Sequence, residues 1–309
     1  MRSPDFFDLS VIHELTPVAE RLLERHLATV KEWFPHEFVP WSRGRDFEPG
    51  EEWDSETSPL PAAVRSALLV NLLTEDNLPY YFRTIERTFG ADGAWGTWAR
   101  RWTAEEGRHA MVIRDYLMVT RSIDPIGLER GRMHQVSHGV IPEPPTAADS
   151  LVYVALQELA TRLSHRATGK LLNDDAGYRV MARVAADENM HFLFYRDLVS
   201  AAMEIDPSAM MLAIERQVRD FQMPGTGIPD FADHALAIAK AGIYDLRAHH
   251  DQILVPVVLR DWRVAEVEGL NEDGERARHG VIDRIERIGR AGRRMADRWA
   301  ESPESVPAG

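Results

Sequence analysis

Cysteine is absent from all 309 residues of the chain. Its absence excludes disulfide bonds, thiolate metal ligands and iron–sulfur clusters held by this protein. No apolar run reaches the roughly 20 residues that a membrane-spanning helix needs, so we predict no transmembrane segment. The amino-terminal residues also lack the basic start and apolar middle of a signal peptide, and we therefore expect a cytoplasmic protein.

Positive charge is the minority sign in this sequence. The 49 acidic side chains outnumber the 36 lysines and arginines, which gives a formal net charge of −13. Such a chain repels the phosphate backbone of nucleic acids, so general nucleic-acid binding is not expected. The same field repels an acidic protein, and an acidic partner must therefore meet a local basic patch.

Alternating polar and apolar residues of strand length are also missing, whereas helical periodicity recurs along the chain. It predicts a helix over about 62–88 that Pro79 should kink, and, after a turn at 271–274, a last helix over about 280–300. The last helix carries a narrow apolar seam of Val281, Ile285, Ile288, Gly292, Met295 and Trp299. We predict an all-α protein, and the hydrophobic content of 44% is ample for a buried core. One helical domain is expected over residues 1–309. We place its core at about 62–202, an amino-terminal helix and loop at 1–61, and accessory helices at 203–300.

Two short motifs carry the chemistry that the sequence reveals. Glu106 and His109 form a Glu-x-x-His pair, and Glu188 and His191 repeat it. On a helix this spacing puts the carboxylate and the imidazole on one face, one turn apart. A single pair is common on solvated helix faces, so the motif gains its meaning from its recurrence.

Each motif follows, about thirty residues later, another glutamate in an apolar run: Glu75 precedes the first pair and Glu158 the second. Two glutamates and two Glu-x-x-His pairs are the ligand set of a di-iron or di-manganese centre in a four-helix bundle. Buried carboxylates are costly unless a cation compensates them. The neighbouring acids Glu105 and Asp187 are expected to turn away from the centre, where Asp187 can accept the outer N–H of a ligand histidine. The remaining histidines, His26 among them, gain no such support.

Four segments that contain these residues, 74–79, 101–109, 156–165 and 185–191, resemble the soluble acyl-[acyl-carrier-protein] desaturases, especially their actinobacterial branch. The resemblance implies a ferritin-like di-iron bundle with accessory helices. It favours Glu75 over Asp76 and Glu106 over Glu105. The implied ligands are Glu75, Glu106, His109, Glu158, Glu188 and His191.

The resemblance also implies roles for residues around the metal. Thr161, one turn after Glu158, corresponds to a threonine on the oxygen-binding side of the centre. Asp187 and Trp41 correspond to an electron-entry path through His109, although the spacing after Trp41 differs by one residue from the plant pattern. A buried aromatic residue explains Trp41 equally well.

The reaction implied is the conversion of a saturated acyl chain on acyl carrier protein to a cis-unsaturated one, with dioxygen and two electrons from a ferredoxin-type donor. Two irons are the expected cofactor, and manganese uses the same ligands. A homodimer is implied, and we expect helices within 78–115, with Trp95, Trp98 and Trp102 as a surface, to form the contact. Acyl carrier protein is acidic, so a basic docking patch is expected. Two groups of arginines are candidates, and a solvated helix face is the favoured explanation of the second. They are Arg83, Arg87, Arg100 and Arg101 near the motif helices, and Arg284, Arg287, Arg290, Arg293, Arg294 and Arg298 on the last helix.

Two alternatives remain open from the sequence. The same ligands serve a di-iron acyl hydroxylase or other monooxygenase. They also allow a catalytically inactive relative that only binds metal. Storage of iron is disfavoured, because ferritins are much shorter single bundles.

Overall fold

The computed structural model describes residues 6–300, and within that range the protein is all helical, as predicted, with no strand. The eleven α-helices are α1 (Phe6–Thr29), α2 (Ala62–Glu75), α3 (Leu78–Phe89), α4 (Gly93–Val119), α5 (Pro125–His138), α6 (Ala147–Leu171), α7 (Asp175–Ile205), α8 (Pro207–Asp220), α9 (Phe231–Lys240), α10 (Leu246–His249) and α11 (Glu272–Ala300). A π-helical segment, His250–Asp261, continues α10 directly. The predicted domain 1–309 therefore extends beyond the described residues at both ends.

Helices α2, α4, α6 and α7 form a ferritin-like four-helix bundle. Helices α6 and α7 pack along most of their length, α1 lies across α7 and α4, and α3 lies against α4. Side-chain caps fix where the two long central helices begin: Thr146 accepts from the amide of Asp149, and Asp174 accepts from the amide of Gly177. The apolar side chains between the four helices form the core that surrounds the buried polar residues described below.

The helix that the sequence predicts as continuous, with a kink at Pro79, is divided in the structure into two helices, α2 and α3. Glu75 is the last residue of α2, and Asp76 and Asn77 separate the two helices. Pro79 lies in the first turn of α3, where its missing N–H costs nothing. Asp76 is held by Arg132 of α5 at 2.8 Å, so the position of Glu75 depends on a contact from outside the bundle.

The three tryptophans of α4 belong to the core and do not form the predicted surface. Trp95, Trp98 and Trp102 are all buried. Trp98 stacks on Phe194 of α7 with ring centroids 3.6 Å apart, and its indole N–H donates to the hydroxyl of Tyr195 at 3.0 Å. These three side chains are therefore buried within a single chain and leave no apolar surface for a partner.

Helix α11 is longer than the predicted 280–300, because it begins at Glu272 inside the predicted turn. Val281, Ile285 and Ile288 are buried against α8 and the π-helical segment, whereas Met295 is exposed. The predicted apolar seam is therefore buried only in its first half. No helix in the described range is long and apolar enough to cross a membrane.

Candidate metal centre

The four bundle helices bring all six predicted ligands together at the middle of the protein. They fall into two overlapping sets, and within each set one ligand atom per residue lies within 4.8 Å of the others. Glu106 and Glu188 belong to both sets, whereas the other members belong to one each. The two sets are Glu75, Glu106, His109 and Glu188, and Glu106, Glu158, Glu188 and His191.

Both histidines turn the same ring nitrogen, Nδ1, towards the carboxylates. In the first set, Nδ1 of His109 lies 3.2 Å from Glu106 Oε2, 3.6 Å from Glu188 Oε1 and 3.7 Å from Glu75 Oε2. In the second, Nδ1 of His191 lies 2.7 Å from Glu106 Oε1 and 3.6 Å from Glu158 Oε2. The two imidazoles therefore flank the shared carboxylates, and their Nε2 atoms point outwards.

The donor set fits two divalent cations. All six residues are buried, and burial with repulsion from Glu188 raises the pKa of Glu158 well above its ordinary value. Five of the inward-facing atoms are buried without a hydrogen-bond partner in the described structure, which is costly unless a cation meets them. Carboxylate and imidazole donors suit iron or manganese. The unpartnered atoms are Nδ1 of His109 and His191, Oε1 of Glu106, and Oε2 of Glu158 and Glu188.

The outer nitrogen of His109 faces Asp187, the residue that the sequence analysis expects to accept from it. Oδ2 of Asp187 lies 3.5 Å from His109 Nε2, which is a pairing distance without a hydrogen bond, and it accepts a hydrogen bond from the indole N–H of Trp33 at 2.7 Å. Arg108, at 3.3 Å, and Arg183 also pair with the Asp187 carboxylate. Burial opposes ionisation of Asp187, but the interaction with His109 and the nearby positive charges hold its pKa below the ordinary value.

The structure does not place Trp41 in this arrangement, and the predicted assignment is wrong in its geometry. The Trp41 ring is 50% exposed, and its N–H donates to the carbonyl of His36 in the same loop at 3.0 Å. Trp33 is only 3% exposed and occupies the expected position beside Asp187. Both tryptophans lie in the connection after α1, so only the path of that connection, which the sequence does not show, decides between them.

The outer nitrogen of His191 is held by Glu105, a role that the sequence analysis missed. Glu105 Oε2 lies 2.9 Å from His191 Nε2 and 3.0 Å from Nε2 of the buried His26. Arg101 completes the group at 2.5 Å from Glu105 Oε1. Burial opposes the ionised form, but His191 and His26 hold the pKa of Glu105 well below its ordinary value. The repeated acid pairs, Glu105 before Glu106 and Asp187 before Glu188, were the sequence signal for this role.

Two further polar residues of α6 lie beside the ligands. Nε2 of the buried His165 lies 3.3 Å from both Glu75 Oε1 and Glu188 Oε1. Burial lowers the pKa of His165, but its hydrogen bonds with these carboxylates outweigh burial and raise the pKa to about 9. Thr161 donates to the carbonyl of Glu158 at 3.0 Å and lines a cavity next to Glu75. The sequence analysis assigned no role to His165.

Two largely apolar cavities lie beside the ligand residues. The first has Glu75, Thr161 and His165 in its wall, together with apolar residues of α9. The second lies among α3, α4 and α6, and Trp102 in its wall donates to Glu158 Oε1 at 3.1 Å. Glu75 therefore borders an apolar cavity directly, whereas the second cavity is separated from Glu158 by Trp102.

Comparisons with known proteins point to one family. The profile of the family described as "Fatty acid desaturase" matches residues 8–308. DesA1 of Mycobacterium tuberculosis strain H37Rv, provisionally named an acyl-[acyl-carrier-protein] desaturase, is 45% identical over 281 residues, which cover 88% of this chain and 83% of the relative. The chloroplastic acyl-[acyl-carrier-protein] desaturase 6 of rice is 30% identical over 97% of this chain and 78% of its own length.

A solved structure extends the likeness to the fold. The X-ray structure of DesA2 from Mycobacterium tuberculosis H37Rv, also provisionally named an acyl-ACP desaturase, matches with a TM-score of 0.71 at 28% identity. The match covers 87% of this chain and 99% of that one. With the family profile spanning nearly the whole sequence, these likenesses establish that the chain belongs to the fatty acid desaturase family.

Proposed function

We propose that the protein is an oxygen-dependent di-iron desaturase that introduces a cis double bond into a saturated fatty acyl chain carried on acyl carrier protein. The observation that carries the proposal is the set of six buried ligands beside two apolar cavities. Glu75 and His109 would hold one ion, Glu158 and His191 the other, and Glu106 and Glu188 would be shared. When bound, two irons supply the redox chemistry that reduces dioxygen.

The residues around the metal have positioning roles in this proposal. The apolar cavity walls bind the acyl chain, exclude water and hold one carbon–carbon bond beside the ligands. In the overall reaction two adjacent methylenes each lose one hydrogen, two electrons arrive from the donor and two protons from solvent, and dioxygen leaves as two waters. Thr161, whose hydroxyl lies in the cavity wall near Glu75, is suited to hold a proton on the oxygen side.

Electrons from a ferredoxin-type donor are proposed to enter through Trp33, Asp187 and His109. The support is an unbroken series of contacts: indole N–H to carboxylate at 2.7 Å and carboxylate to imidazole at 3.5 Å. The guanidinium groups of Arg108 and Arg183 lie 4.9 and 5.7 Å from the centre of the Trp33 ring. This route replaces the one that the sequence analysis assigned to Trp41.

A homodimer is proposed, with an exposed apolar stripe on α5 as part of its contact. Ile126, Met133 and Val136 are each at least 47% exposed, with Met133 at 71%. Their spacing of seven and three residues places them on one face of α5, which is the pattern of a helix–helix seam. The predicted contact through 78–115 keeps its support only from exposed residues such as Met111, since the tryptophans are buried.

We also propose that residues 1–309 act as one domain, because the ligands span residues 75 to 191 and the flanking helices α1 and α8 pack on the same bundle. A cytoplasmic location remains our proposal.

The test loads the protein with ferrous iron and supplies palmitoyl- and stearoyl-carrier protein, ferredoxin, its reductase, NADPH and air. Mass spectrometry of the acyl chain reads the outcome, and Glu188→Ala is the matched inactive control. Loss of two mass units, absent in the control, is the expected result. A parallel sample loaded with manganese identifies the working metal.

Two other outcomes point to the alternatives. A gain of sixteen mass units contradicts desaturation and identifies an acyl hydroxylase. An unchanged chain with two irons bound, while a known desaturase works in the same mixture, contradicts the proposal and favours a metal-binding relative without this activity.

A further inference from the structure

Helix α6 carries a row of three cations that begins one turn after the metal ligand Glu158. Arg162, Arg166 and Lys170 are spaced four residues apart, so they extend about 12 Å along one face of the helix. Arg166 and Lys170 are exposed and Arg162 is half-buried. Across residues 10–299, where side chains are described, none of the three forms an ion pair, in a chain whose acids outnumber its bases. The row is therefore an uncompensated positive patch.

The three cations form one wall of an open groove of about 1240 Å³. The opposite wall is made of small and neutral residues, Ala241, Gly242 and Ala248 together with Gln252, which leave room for a partner's side chains. Burial and repulsion by Arg166 lower the pKa of Arg162, as expected where like charges stand together without an acid. The groove is thus shaped and charged to receive a negative surface.

The groove lies next to the cavity that reaches the metal ligands. Thr161, Ser164 and His165, on the same stretch of α6, line that cavity. The turn after α9 contributes Ile243 to the groove and the next residue, Tyr244, to the cavity. A partner bound in the groove would therefore lie next to the cavity proposed to hold the acyl chain, because α6 and residues 243–244 contribute to the walls of both.

We propose that this groove, with the row of Arg162, Arg166 and Lys170, is the docking surface for an acidic helix of the acyl carrier protein. The inference rests on the proposed function and names where its partner binds. Carboxylates one and two turns apart on a partner helix match the spacing of about 6 Å between successive cations. A single phosphate group would engage only one or two of them. Because the chain as a whole repels an acidic protein, an isolated positive row also orients the partner.

The other arginine-rich surfaces are partly paired. On α11, Arg290 pairs with Glu286 at 3.3 Å, and Arg284 donates to the carbonyl of Arg219. On α4, Arg101 is engaged by Glu105. Arg287 and Arg294 are exposed, so α11 is the competing surface that the experiment must compare with the groove.

The experiment compares two triple variants that each replace three cations with glutamate. Both change the net charge equally, so the long-range repulsion is matched and only the location differs. Affinity for fluorescently labelled holo-acyl carrier protein is measured by anisotropy, with metal content and far-ultraviolet circular dichroism as checks of folding. The groove variant is Arg162→Glu, Arg166→Glu and Lys170→Glu, and the control is Arg287→Glu, Arg290→Glu and Arg294→Glu.

We expect the groove variant to bind at least tenfold more weakly and the control to stay within about threefold of the wild type. Arg162 is half-buried, so the double variant Arg166→Glu and Lys170→Glu serves if the triple variant does not fold, and it is expected to bind at least threefold more weakly. The difference from wild type should shrink at high salt.

The failures can be told apart. If the wild type binds and the folded groove variant binds equally well, or if only the control loses affinity, the docking inference is overturned and the proposed function stands. If the wild type does not bind acyl carrier protein at all, the partner in the proposed function is wrong and the inference falls with it.

Discussion

Replacing Trp33 with phenylalanine tests the contact that the structure substitutes for the predicted one. The change keeps an aromatic ring and removes the indole N–H that donates to Asp187 at 2.7 Å. Trp41→Phe is a matched control, because it is the same chemical change eight residues later in the same connection. Only the first change is expected to affect the metal centre.

The magnitude follows from burial and charge. A hydrogen bond to an ionised group contributes about 1.5–3 kcal/mol, and both partners here are almost fully buried, so water does not replace it. Asp187 keeps its pairs with Arg108 and Arg183, which limits the loss. We expect Trp33→Phe to lower the free energy of unfolding by about 2 kcal/mol. Trp41 donates to a carbonyl from a half-exposed position, and its replacement should cost less than about 1 kcal/mol.

Urea unfolding of the metal-free proteins, followed by far-ultraviolet circular dichroism, measures both values without relying on tryptophan fluorescence. Iron-loaded samples then give the rate of reduction by the electron donor, which should fall for Trp33→Phe at unchanged metal content. Equal losses of stability in the two variants, or a larger loss in Trp41→Phe, would refute the reasoning.

Three further predictions concern acid stability, metal and chain length. Burial lowers the pKa of His249 to about 4. Between about pH 6.5 and 4 this histidine is therefore protonated in the unfolded chain and neutral in the folded protein. This contribution to the free energy of unfolding is therefore fully present above about pH 6.5 and falls by up to about 3 kcal/mol as the pH drops towards 4. Urea unfolding at pH 7, 5.5 and 4.5 should show a weaker pH dependence of the unfolding free energy in His249→Gln. An unchanged pH dependence contradicts the assignment to His249. Ferrous or manganous ions should raise the thermal unfolding midpoint, because they neutralise the buried carboxylates, and the rise should vanish in Glu188→Ala; a shift that survives places the ions elsewhere. Thr84→Leu narrows the second cavity, so the ratio of palmitoyl to stearoyl turnover should rise about tenfold, and an unaltered ratio excludes this cavity as the chain-length pocket.

The sequence predicted the ligands well because their spacing is local. Residues three apart on a helix share a face whatever the rest of the chain does, so Glu106 with His109 and Glu188 with His191 need no tertiary information. The all-α class and the family follow from the same motifs together with the helical periodicity around them. That these residues bind metal remains our proposal.

The residues that hold the ligands were harder to predict, since they come from distant parts of the chain. His26 meets Glu105 across 79 positions, and Trp33 meets Asp187 across 154. Local sequence spacing cannot predict these long-range contacts, because they depend on how α1 and the connection after it pack across the bundle. The prediction of a single helix with a kink at Pro79 was wrong for a related reason. A proline is as compatible with the first turn of a new helix as with a kink inside a continuous one.

The connection between α6 and α7 bears on the order in which the protein folds. Only three residues, 172–174, separate these helices, so their pairing closes a short loop and is expected early. This hairpin already contains Glu158, Glu188 and His191. The other three ligands come from α2 and α4, which must dock on it over longer distances in sequence. A metal ion that binds to the nascent chain therefore finds half of its ligands, and full coordination awaits the last stage of bundle assembly.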